Sequence, residues 1–95
     1  MTETAEARLK RMRMRSWRRG TKEMDLILGP YADARLATMA EAWLLLYDLV
    51  LDLNDQDLLP MMLGQAPAPA GLQDIVSDIA LFATTRLLAD NSTRN

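Results

Sequence analysis

From Leu72 to Leu87 the apolar residues Leu72, Ile75, Val76, Ile79, Ala80, Ala83 and Leu87 recur at steps mostly of three and four. That spacing places them on one stripe of an α-helix and misses the period of two that a half-buried strand needs. The pattern predicts a final helix from about Leu72 to Ala89, followed by a frayed tail from Asp90 to Asn95. A helix with one apolar face must bury it against other elements, and the rest of the chain offers only further helices. The apolar fraction is 49%, drawn from Leu, Ala and Met, with few aromatic and β-branched residues. At 95 residues the chain has room for one domain, 1–95 with a core of about 6–89, and the fold class predicted is a single small all-α five-helix bundle.

The breaks between helices are set by Gly and Pro. Arg8, Arg11, Arg15, Arg18 and Lys22 share one stripe of a first helix that starts near Thr4. Its apolar stripe is weak, which predicts packing at one edge of the bundle. Gly20 ends it. Met24, Ile27, Leu28 and Tyr31 form a second helix from about Lys22, which must kink or stop at Gly29-Pro30. Thr38 with Glu41 reads as a capping box that opens a third helix reaching about Leu53, with Glu41, Leu45, Asp48 and Asp52 as its water-facing line. Asn54 with Asp57 caps a short fourth helix ending at Gly64, with Pro60 predicted to distort it. Gln65 to Gly71 reads as an extended linker.

Much chemistry is excluded by composition. The chain has no Cys, hence no disulfide and no thiolate site, and no His, the commonest metal ligand and neutral-pH base. Asp48 and Asp52 lie one turn apart but lack partners for acid-base work, so no enzyme is predicted. No glycine-rich phosphate cradle is present, so no cofactor is expected to be bound tightly. The longest apolar stretch, Ala42 to Leu53, is interrupted by two Asp and is too short to cross a bilayer, so no membrane insertion is expected. The Arg-rich start lacks the serine and acid-poor character of a transit peptide, and the chain reads as a mature cytoplasmic protein. Most of the seven Met are expected to fill core gaps between leucines.

Charge is distributed unevenly. Met1 to Glu23 holds eight Lys or Arg against three Glu, and the remainder holds three against ten acids, so that +5 stands beside −7. The basic stripe is suited to an acidic protein surface, or to phosphates of a nucleic acid. A sequence pI near 4.9 makes nucleic acid the weaker of the two.

Arg18-Arg19-Gly20-Thr21-Lys22-Glu23-Met24-Asp25 is a helix-turn-helix corner. Acids in the first turn of the second helix complement its dipole, and Arg19 and Glu23 are spaced to pair across the turn. The alternative reading presents Arg19 and Glu23 to a partner, with Gly20 small enough for close approach. The segment Trp17 to Leu26 resembles the RGxxE signature of the SdhE family, also called succinate dehydrogenase assembly factor 2. The resemblance spans about residues 8 to 88: an apolar helix ending at Gly29 and Tyr31, a leucine-rich segment Trp43 to Leu53, an acidic turn Asn54 to Asp57 and a linker Gly64 to Pro69.

The resemblance implies a bacterial, cytoplasmic assembly factor. Such a factor binds the flavoprotein subunit of succinate dehydrogenase, and in some cases that of fumarate reductase, and promotes covalent attachment of FAD, which belongs to the partner. By motif, Arg19, Gly20 and Glu23 are the core of the partner-binding site and Trp17, Arg18 and Asp25 its neighbours. Replacing Arg19 or Glu23 is then expected to impair flavinylation without unfolding the domain. Part of the family has carried an antitoxin label, which gives the alternative of a regulatory protein bound to a toxin. A monomer is the expected state, with Trp43 and Leu44 to Leu46 as the alternative dimer face.

Overall fold

The computed structural model describes residues 3–93, with side chains described as far as residue 86. Five α-helices occur among the described residues: α1 (Ala5–Trp17), α2 (Lys22–Arg35), α3 (Glu41–Leu51), α4 (Asp55–Met62) and α5 (Gln73–Thr93). A 3₁₀ turn, Leu36–Thr38, separates α2 from α3. Thr4 caps α1 by accepting from the Ala7 amide at 3.0 Å, and Thr21 caps α2 through the Met24 amide at 3.3 Å. Gly64, just past the cap of α4, has φ of +75°, and Gly20, in the turn three residues beyond the end of α1, has φ of +105°, a region that costs other residues energy. At Gly64 the Gln65 amide donates to Pro60 O at 2.8 Å and the Gly64 amide to Met61 O at 3.3 Å, which closes α4 in a Schellman motif.

The core is built around Tyr31 of α2. Its ring stacks on Tyr47 of α3 and meets Phe82 of α5 edge-on, both at 5.6 Å between centroids, so one side chain joins three helices. Met24, Leu28, Leu44, Val50, Leu58, Ile75 and Ile79 fill the space around it. Ile75, Val76 and Ile79 come from the apolar stripe of α5, whose Leu87 side chain lies outside the described residues. Helix α1 lies at an edge of the bundle, as its weak apolar stripe predicts. It packs on α2 and α3 and buries Met12 completely. Ser16, also fully buried, donates to Met12 O at 2.7 Å and lies 2.6 Å from the Tyr47 hydroxyl, so both polar groups are satisfied. Burial pushes the Tyr47 hydroxyl up to about 12, against the lowering effect of the Ser16 bond. Among the methionines, Met12, Met24 and Met62 are buried and Met39 and Met61 pack against the core, while Met14 is exposed.

Neither proline breaks its helix. Pro30 lacks the amide that would bond to Leu26 O, and that carbonyl instead accepts from Arg86 Nη1 at 3.4 Å. Helix α2 therefore continues to Arg35. Gly29, just before Pro30, is buried beneath the indole of Trp17, and a Cβ at this position would overlap the ring. Helix α4 likewise runs as an α-helix through Pro60 and tightens only after it, which corrects the distortion expected there.

A ladder of arginines runs from α1 onto the acids of α3. Arg8 holds Glu41 through two bonds of 2.7 and 2.8 Å, and Arg11 holds Asp48 through two of 2.9 Å. Arg11 also binds Glu3, and Arg15 reaches Asp52 at 3.1 Å. Glu41, Asp48 and Asp52 each take an arginine of α1, yet Glu41 and Asp52 stay 65% and 66% exposed, so the line Glu41, Leu45, Asp48 and Asp52 does face water, as its spacing predicts. Glu41 is engaged by Arg8, so no capping box forms with Thr38; α3 starts at Glu41 with Ala40 as its uncapped N-terminus and ends at Leu51. Asn54 is the N-cap residue of α4, but its backbone oxygen rather than its side chain accepts, from the amides of Asp57 and Leu58. At the other end of the chain α5 continues past Ala89 to Thr93, so helix replaces most of the tail expected to fray; residues 94 and 95 lie outside the described residues.

Two outcomes are expected. Gly29→Ala should lower stability by about 1–3 kcal/mol despite the gain in helix propensity, because the methyl displaces the Trp17 indole. A guanidinium titration of the variant checks this, and an unchanged midpoint would show that the ring moves aside freely. The arginine bonds hold Glu41 and Asp48 below their ordinary values of 4.5 and 3.8, so their stabilisation is complete above about pH 4.5 and is lost as pH falls through the lowered values. Unfolding midpoints should then fall below pH 4.5, and Asp48→Asn should flatten that slope.

Candidate functional site

The corner between α1 and α2 is shaped by Arg19. Its side chain is 8% exposed and turns inward, away from Glu23. Nε donates to Asp55 Oδ1 at 2.9 Å, and the two terminal nitrogens donate to Leu51 O and Leu53 O. These carbonyls belong to the end of α3 and the residues after it, where helical partners run out. The same Leu51 oxygen also accepts from Arg15 at 2.9 Å. Asp55 is 15% exposed and opens α4, so the pair joins the α1–α2 turn to the α3–α4 turn. The Arg19 amide donates to Asp25 Oδ1 at 2.7 Å, which folds the first turn of α2 back over the corner. The pairing of Arg19 with Glu23 expected from their spacing therefore does not form.

The six residues of the corner divide into scaffold and display. Arg19 and Asp25 are engaged internally, and Gly20 supplies the positive φ between them. A Cβ on Gly20 would meet only Asp55 Oδ2, at 3.9 Å, so backbone conformation rather than space selects glycine. Trp17 is anchored by Gly29 and by its Nε1–H bond to Asp33 Oδ2 at 3.2 Å, yet its ring stays 38% exposed. Arg18 points outward and lines a groove with Met14, Arg15 and Arg19. Glu23, in the first turn of α2, is exposed and has no ion-pair partner among the described residues. It stands between two adjoining grooves. One, of about 290 Å³, passes Thr21, Asp55 and Pro60. The other, of about 460 Å³, runs over Leu26, Ile27, Leu59 and Leu63 to Arg86.

The α4 and α5 contributions to this surface were not read from the sequence. The signal available was the i, i+3, i+4 set Glu23, Leu26, Ile27, which places two apolar residues beside the motif acid on one face of α2. Asp55 carries no motif and is identified only by its contact with Arg19.

The profile of a protein family described as "Flavinator of succinate dehydrogenase" matches residues 10–83, which include the corner and both grooves except Arg86. The chain belongs to this family. It is also 32% identical over 63 residues to a protein named "FAD assembly factor SdhE" from Acetobacter pasteurianus, a match covering 66% of this chain. The chain spans 58% of that relative's length. No solved structure matches it. Among the described residues no helix is long and apolar enough to cross a membrane.

For a flavinator-family chain, the division within the RGxxE corner changes what a substitution at Arg19 tests. Leaving Asp55 without its cation, or Arg19 without its anion, strands a nearly buried charge, at a cost of about 3 kcal/mol. Asp55→Ala and Arg19→Ala are expected to lower the unfolding midpoint clearly, whereas Glu23→Ala should leave it within about 0.5 kcal/mol of wild type. Equal midpoints for all three would show that the inward clamp carries no stability.

Proposed function

We propose that the chain is a non-enzymatic assembly factor that binds the flavoprotein subunit of succinate dehydrogenase and favours covalent attachment of FAD to it. The family match across the corner carries this reading, and the name of the Acetobacter relative supports it. The chain has neither His nor Cys to link to a flavin, and in this reading the bond-forming side chain belongs to the flavoprotein. The part left to this chain is positioning: holding the flavoprotein in a geometry in which its own residue meets the isoalloxazine ring. FAD stays with the flavoprotein, and the chain holds none tightly.

Glu23 is the charged side chain best suited to that contact. It is exposed, free of ion-pair partners among the described residues and mounted on the first turn of a helix whose entry is fixed by the Arg19 clamp. A rigid mount matters because affinity lost to ordering a loop is saved when the loop is already ordered. Arg18 and the exposed edge of Trp17 flank it as further contacts, while Arg19, Gly20 and Asp25 hold the shape.

The test is covalent flavin, read as fluorescence in a denaturing gel, after apo flavoprotein subunit and FAD are incubated with wild-type protein, Glu23→Ala or buffer. Wild type should raise the signal and Glu23→Ala should not, at equal helicity by circular dichroism. Identical signals in all three samples would overturn the proposed function.

A further inference from the structure

Resting on the function proposed above, we infer that the groove between α2, α4 and α5 seats an amphipathic helix of the flavoprotein subunit, apolar on its docked face, with a basic residue toward Glu23 and an acidic one toward Arg86.

The groove encloses about 460 Å³, with Ile27 and Leu59 at its base and Leu26 and Leu63 on its walls. Leu26 is 44% and Leu63 59% exposed, so two large apolar side chains face water on either side of one hollow. Leu45 and Leu49 on α3 are comparably exposed but line neither groove, whereas here the exposed leucines flank a hollow, the form of a contact surface. The groove shares Glu23, Leu59 and Leu63 with the smaller groove that leads back to Thr21 and Asp55. It is therefore continuous with the corner through which the flavoprotein is proposed to dock, and a body seated on Glu23 covers both.

The charges choose the occupant's chemistry. Glu23 and Arg86 both line the groove: Glu23 carries a free carboxylate, and Arg86 uses one terminal nitrogen on Leu26 O and keeps its remaining donors for an acceptor. An apolar body with one cation and one anion, set in the matching order, satisfies both groups and is held in one orientation. The groove is bounded by helices alone, and among the described residues there is no strand whose edge an extended segment would join. Its Leu and Ile lining between helices suits helix-in-groove docking, with apolar anchors at steps of three and four.

The experiment titrates apo flavoprotein subunit with wild type, Leu63→Glu, Leu26→Gln, Leu45→Glu and Glu23→Ala, each first shown to be folded by circular dichroism and checked for mass in solution. Leu45 is as exposed as Leu63 but lies on α3, away from the groove, and serves as the control. Leu63→Glu and Leu26→Gln should each weaken binding about tenfold or more, and Leu45→Glu should stay within about twofold of wild type. If both groove variants bind as wild type does while Glu23→Ala is impaired, the proposed function stands and the groove is not its docking site. If wild type itself does not bind the flavoprotein, the function fails and the groove assignment with it. A wild-type dimer that Leu63→Glu dissociates would assign the groove to a second copy of this chain and overturn the inference.

Discussion

The guanidinium of Arg19 reaches three acceptors at once, a carboxylate at the start of α4 and two carbonyls from the end of α3 and just beyond it. A carbonyl at a helix end that lies under another part of the chain has lost its water, and a cation that lacks an anion there is costly. Each problem is the other's solution. Because the donors of one planar group are fixed relative to each other, meeting all three acceptors also fixes the angle at which the α1–α2 turn lies on the α3–α4 turn. Every outward-facing feature of the corner inherits its position from that angle.

The consequence is a motif whose two spaced charges do opposite jobs. Arg19 and Glu23 are four residues apart, and in an isolated peptide they would find each other. In the folded chain a stronger set of acceptors takes Arg19 inward, and Glu23 is left without its nearest counter-ion. An acid so deprived is available to another protein. Gly20 and Asp25 belong with Arg19, the first by bending the chain through positive φ and the second by accepting the Arg19 amide.

The local grammar of the fold was open to sequence reading. Gly64 stops its helix where a glycine was expected to, Gly20 turns the chain between α1 and α2, the stripe from Leu72 to Ile79 faces the core, and five helices result. The misreadings have a common origin in contacts between residues far apart in the chain. Glu41 and Thr38 look like a capping box until Arg8, 33 residues earlier, takes the carboxylate. Asp48 and Asp52 do mark the wet edge of α3, but what reaches them there, Arg11 and Arg15 of α1, is invisible in their own spacing. Pro30 reads as a kink or a stop, and the helix runs on through it, with Arg86, 60 residues beyond Leu26, donating to the carbonyl that the proline leaves free. Periodicity sees one helix at a time, so the face a helix turns to its neighbour is visible but the identity of that neighbour is not. The groove at Glu23 was hidden for the same reason, since its walls come from three separate helices.

The ladder between α1 and α3 ascends in the same direction along both helices, from Arg8 on Glu41 through Arg11 on Asp48 to Arg15 on Asp52. The two helices therefore run parallel, with like dipole ends side by side, an arrangement that crossing ion pairs help to offset. Each pair is partly exposed and contributes little alone. Together they act as a ruler. Removing or adding one residue between Arg8 and Arg15 would turn every later rung by about 100° around α1 and carry Arg19 off its three acceptors. The same change made between Gln65 and Gly71 would meet no such constraint. The chain is thus divided into a stretch whose length is fixed to the residue and a stretch that is free to grow or shrink, with the corner at the end of the fixed one.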